Sequence, residues 1–124
     1  MSQYTSFVPL GKLAITAAGT TTSLSYYCGN YGGQGASGSY VPGNAWRAMV
    51  LEADPGNSGS IYLLPRGKTA SANPEAIFAK IGVGGSISFP YGIMSGVGFT
   101  PENFVLDTDA SSGTQYVYGY GVLG

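Results

Sequence analysis

The chain has 124 residues, 44% of them hydrophobic and only 9% charged, with a net charge of −1, one cysteine and no histidine. That length suits one domain with one core, and the charged fraction is far below the roughly 25% of ordinary soluble domains. The charge balance leaves no basic footprint for nucleic acid, the apolar runs are too short to span a bilayer, no histidine with a single cysteine excludes a zinc site, and the absence of histidine excludes a Ser-His-Asp triad within the chain.

Residues 1–10, MSQYTSFVPL, carry aromatic and apolar groups without a pairing pattern of their own. They read as an N-terminal arm, with Tyr4 and Phe7 as contact residues, ahead of a single β-sandwich domain over 11–124. The segment lacks the basic and long apolar regions of a signal peptide, so synthesis in a cytoplasm without export by a classical signal is expected. From there, apolar alternation and β-branched or aromatic residues recur between turn residues. Strands are predicted at 11–17, 22–28, 45–53, 59–65, 76–81, 84–90, 102–108 and 114–121. About eight short strands define an all-β sandwich or jelly-roll-like domain.

Several stretches carry more specific expectations. Cys28 lies in the strand-like LSYYCGN, where a buried inert thiol is favoured over a reactive one. The glycine-rich 29–43 reads as a long flexible or extended loop in which Tyr31 and Tyr40 are either partner anchors or part of a linker. Trp46 leads an apolar strand and fits a core better than a sugar-stacking platform. Asp54-Pro55-Gly56-Asn57 has the signature of a type II turn, with Gly56 at the position that needs positive φ. With Ser58 to Ser60 it closes a predicted hairpin between 45–53 and 59–65.

That stretch, 56-GNSGS-60, also resembles the nucleophile loop of chymotrypsin-like proteases. Ser58 has no histidine to activate it, and nothing in the spacing supports Lys12, Lys68 or Lys80 as a substitute base. It reads as a turn, not a nucleophile. Asn73-Pro74-Glu75 suits a single helical turn with Asn73 as its cap. In 107-DTDASSG-113 the spacing of Asp107, Asp109 and Ser111 partly imitates a calcium loop. Glycine and glutamate are missing from their places in that motif, so an Asp-Ser-Gly hairpin turn is the expectation and no metal or other cofactor is assigned. In the last strand Tyr116, Tyr118 and Tyr120 share one face by the period of two. That stripe is either a half-buried structural face or a contact surface.

The succession 50-VLEADPGNSGSIYLL-64, 81-IGVGGSISFP-90 and 104-FVLDTDASSGTQYVYGYG-121 resembles small β-sandwich structural proteins of tailed bacteriophages. The resemblance covers about residues 48–121 and rests on an Asn-x-Gly-x-Ile-Tyr hairpin, a Gly-Gly strand and a closing aromatic strand. It implies a non-enzymatic capsid decoration or cement protein on the virion. Its partners would be the major capsid protein or other virion proteins and further copies of itself, trimers being common in such families. The contact residues would be Tyr4, Phe7, Tyr31, Tyr40, Tyr116, Tyr118 and Tyr120. The alternative is a receptor- or glycan-binding module on a tail or fibre, with Tyr31, Tyr40 and Trp46 as the stacking residues.

Overall fold

The computed structural model describes residues 6–24, 46–89 and 103–123. Its strands are β1 (Ser6–Ile15), β2 (Thr22–Ser23), β3 (Trp46–Ala53), β4 (Ile61–Pro65), β5 (Ala79–Ile81), β6 (Ser86–Phe89), β7 (Phe104–Thr108) and β8 (Gln115–Leu123). Each falls within or beside a predicted strand. β1 departs most, because it begins at Ser6 and pairs there with Leu123. Residues 6–10, expected in an arm that adds to another subunit or lies along the domain, are sheet within this chain. Their backbone finds an antiparallel partner in the far end of β8, which sequence alternation alone does not reveal.

Two four-stranded antiparallel sheets face each other, ordered β1-β8-β3-β6 and β2-β7-β4-β5. The pairs β1·β8, β2·β7, β3·β6 and β4·β5 make one long antiparallel ribbon, and the ribbon is rolled so that β8 also pairs β3 and β7 also pairs β4. That is the eight-stranded jelly roll, in which both Greek-key halves share one core.

Strict alternation builds the core. In β1 Leu13 and Ile15 point inward while Lys12 and Ala14 are exposed; in β3 Met49, Leu51 and Ala53 are buried around exposed Glu52. Val117 of β8 meets Ile61 and Leu63 of β4, Leu106 of β7, Leu24 and Ile81 in the same cluster. Removing each such side chain from water contributes roughly 1.5–3 kcal/mol. β7 breaks the alternation. Val105, Leu106, Asp107 and Thr108 are all buried, because the 66–78 connection folds over the outer face of its sheet.

The strand order corrects two expected hairpins. β3 and β4 lie in different sheets, so 54–60 is an arch that carries the chain across the sandwich. Residues 109–114 do the same between β7 and β8. The 54–57 turn is closed by Asn57 N–H donating to Asp54 O at 3.0 Å. It is not type II, since Gly56 is not among the residues with positive φ. The Asp54 carboxylate accepts from Gly56 N–H at 2.7 Å and holds the bend instead. The single helical turn is present at Pro74–Ala76, but the Asn73 side chain does not cap it. Asn73 Oδ1 accepts from Thr69 N–H at 3.2 Å.

Candidate functional site

Among the described residues, three places gather polar or aromatic side chains. The first is the end of the sandwich where both arches cross. Asn57, 8% exposed, clasps the backbone of Tyr116: Nδ2 donates to its carbonyl at 3.0 Å and Oδ1 accepts from its N–H at 2.8 Å. Gln115, 2% exposed, returns the contact, its Oε1 accepting from Ser58 N–H at 2.7 Å and Gly59 N–H at 3.0 Å. Asp109 Oδ1 accepts from Ser60 N–H, and Thr108 Oγ1 donates to Ser60 O. Gly59 lies so close to the second arch that a Cβ there would sit 2.6 Å from Asp109 Oδ1 and 2.7 Å from Ala110 N. Only glycine permits that approach.

This clasp absorbs Ser58. Its Oγ accepts a hydrogen bond from Gln115 Nε2 at 3.1 Å, and an amide N–H cannot take up the hydroxyl proton as a base must. Lys12 and Lys80 are occupied over tyrosine rings. The 56–60 stretch is thus an inter-sheet fastening.

The second place is a concavity of about 360 Å³ on the outer face of β2-β7-β4-β5. Tyr62, Pro74, Ile77 and Ala70 supply apolar walls, and Asp107 and Asp109 also line it. Asp107 Oδ1 accepts from Gly19 N–H at 2.9 Å and Thr108 N–H at 2.8 Å; Oδ2 accepts from Ala70 N–H at 2.8 Å. One buried carboxylate thereby ties the β1–β2 turn and the 66–78 connection to β7. Asp109 Oδ2 accepts from the Tyr62 hydroxyl at 3.0 Å. Burial first, then that hydrogen bond, raise the Tyr62 phenol above its usual range. The two carboxylates are directed at N–H and O–H donors and do not converge as a cation cage.

The third place is the outer face of β1-β8-β3-β6. Tyr116, Tyr118 and Tyr120 run down β8, a central strand of this sheet. Tyr116 and Tyr118 are half-buried and Tyr120 is 42% exposed. Lys12 Nζ lies 4.1 Å from the centre of the Tyr116 ring and 6.0 Å from that of Tyr118, a cation held over aromatic faces. The Tyr118 hydroxyl donates to Asp54 Oδ2 at 2.7 Å. That bond, with the Gly56 N–H second, lowers the Asp54 carboxyl below its usual value, and it raises the Tyr118 phenol. Val50 and exposed Ser86 and Ser88 complete the face.

Of the predicted contact residues, the structure thus brings Tyr116, Tyr118 and Tyr120 together on one sheet face. Phe7 lies in β1, backbone-paired with Val122 on β8. Tyr4, Tyr31 and Tyr40 lie outside the described residues, as do Cys28 and the rest of 29–43. Sequence reasoning missed Asn57, Gln115, Tyr62 and Lys12. Gln115 left a readable signal, since it occupies the same inward parity as Val117.

Fold and surface define a jelly-roll domain with a sheet face on which tyrosines stand among Lys12, Glu52 and Asp54, and a small concavity on the opposite sheet. Comparison with protein-family models, curated proteins and solved structures found no match to this chain.

Proposed function

We propose that this chain is a virion structural protein, a capsid decoration or cement subunit whose work is protein–protein contact and not catalysis. The observation that carries the reading is the tyrosine-lined outer face of β1-β8-β3-β6, set on a rigid two-sheet scaffold. Interface cores are enriched in tyrosine, and Tyr116, Tyr118 and Tyr120 present three such side chains in one row of an outer sheet face, Tyr120 being 42% exposed. The jelly roll is also an architecture of viral shell proteins, which agrees with the reading without establishing it. Many copies on one shell multiply modest contacts by avidity.

The test is co-sedimentation of the purified chain with expanded phage capsids, with capsid heat tolerance measured alongside. Binding with a raised disruption temperature supports the role; no binding and absence from virion protein reject it.

The concavity favours a second reading, a receptor- or glycan-binding module. Tyr62 offers an aromatic wall and Asp109 an oriented acceptor for sugar hydroxyls, in place of Tyr31, Tyr40 and Trp46. A glycan array read with the intact chain and with Tyr62→Ala decides it: signal lost in the variant supports the module, and no signal from either removes it.

A further inference from the structure

The tyrosine face carries its charges in a particular order. The cross-strand register places Lys12 of β1 beside Tyr118 of β8, and Tyr118 beside Glu52 of β3, which is followed by Ser86 of β6. A cation and an anion therefore flank one tyrosine in a single row. Their backbones stand two strands apart, about 9–10 Å at the usual strand spacing. Lys12 meets the tyrosine rings, and Glu52 is exposed.

We propose that the partner of this face is a second copy of the chain, packed face to face about a two-fold axis running parallel to β8 above Tyr118. A closed two-fold contact uses the same patch on both copies. For two stacked sheets the axis lies in the plane between them, either along the strands or across them. An axis across the strands sets Lys12 over Lys12 and Glu52 over Glu52. An axis along β8 exchanges the flanks, setting Lys12 of each copy over Glu52 of the other and the tyrosines over each other. The residue in the next row on β1 is Ala14, so Asp54 faces an alanine and meets no like charge. Charge thus selects one of the two arrangements.

An axis above β8 lays β1 of each copy on β3 of the other and leaves both β6 strands outside the contact. β8 has nine residues, and at ~3.4 Å each across three strands of ~4.8 Å spacing the overlap measures roughly 30 by 14 Å. Each copy then covers about 430 Å², and the pair falls just below the ~1,000 Å² of a stable interface, in the range of a transient contact. The expected dimer is weak, with tyrosines at its centre and the two charge pairs at its flanks. The inference rests on the tyrosine face being a contact surface, and not on a capsid being what the dimer meets.

Sedimentation velocity of the full chain, with the single variants Lys12→Glu and Glu52→Lys and their mixture, tests it. Unaltered chain should dimerise reversibly as its concentration rises. Each single variant sets like charges opposite each other at both flanks, and should weaken the dimer about tenfold or more. An equimolar mixture should recover a heterodimer, since each substituted flank then meets its opposite. Hydroxyl-radical footprinting of the unaltered chain gives a reading without substitutions: Tyr118 and Tyr120 should gain protection as concentration rises. A monomer at every concentration overturns the proposal, as do a trimer, single variants that dimerise normally, or a dimer that leaves those tyrosines unprotected. Capsid co-sedimentation is scored separately, so a monomer that still binds shells sinks the dimer and spares the shell role.

Discussion

Replacing Asn57 with alanine probes the clasp between the two arches. The substitution removes two hydrogen bonds to the Tyr116 backbone, each worth about 1 kcal/mol net. The Tyr116 carbonyl keeps a partner, because Asp54 N–H also donates to it at 3.0 Å. The Tyr116 N–H does not, and an orphaned, partly buried donor adds roughly 1 kcal/mol more. The total is about 3 kcal/mol, against a domain stability of roughly 5–15 kcal/mol. Ser58→Ala removes only an exposed acceptor for Gln115 Nε2 and should cost within about 0.5 kcal/mol. Urea unfolding read by fluorescence gives both numbers, as shifts of midpoint at constant slope. Asn57→Asp keeps the acceptor for Tyr116 N–H but sets a carboxylate oxygen against the Tyr116 carbonyl, so it should not rescue. The reasoning is refuted if Asn57→Ala unfolds like the unaltered chain, or if Ser58→Ala costs as much as it does.

Gly59→Ala should destabilise by about 1–3 kcal/mol through overpacking against Asp109 and Ala110, seen as a lower thermal midpoint. Asp107→Ala strips the partner from three backbone N–H groups and should cost about 3 kcal/mol or more. Hydrogen exchange should quicken at Gly19 and Ala70 well before the core strands. The Asp54–Tyr118 bond makes stability depend on pH at both extremes. Asp54 is held below its ordinary 3.8, so its contribution is complete above that pH and fades as pH falls through the lowered value. Tyr118 is held above its ordinary 10.0, so its contribution is complete below that pH and is lost as pH rises through the raised value. Urea midpoints of Tyr118→Phe and the unaltered chain should therefore differ at neutral pH and converge in acid; a gap independent of pH contradicts the assignment.

Strands were legible because period-two alternation is a local property: Leu13 and Ile15, Met49 and Leu51, and Val117 all keep their inward parity. The same rule placed the three tyrosines together. Pairing was less legible, because turn chemistry is nearly blind to what its flanks do next. Asp54, Pro55 and Gly56 bend the chain equally well into a hairpin or an arch, and only the other six strands decide which. The start of β1 is hidden for a related reason, since the partner of Ser6 lies more than a hundred residues away at Leu123. Asn57 and Gln115 stayed hidden because each satisfies backbone groups supplied by the opposite arch, 56–59 residues distant.

The position of β8 has a kinetic consequence. It is synthesised after the two strands it joins, β1 and β3, which have no ladder to each other without it. Until β8 docks, one of the two sheets is in pieces, and closing loops of that span is slow because entropy is lost before contacts form. The tyrosine face does not exist as a surface during that wait. Nascent chains crowded on one message therefore cannot recognise each other through it, and the association proposed above would be open only to molecules that have finished folding.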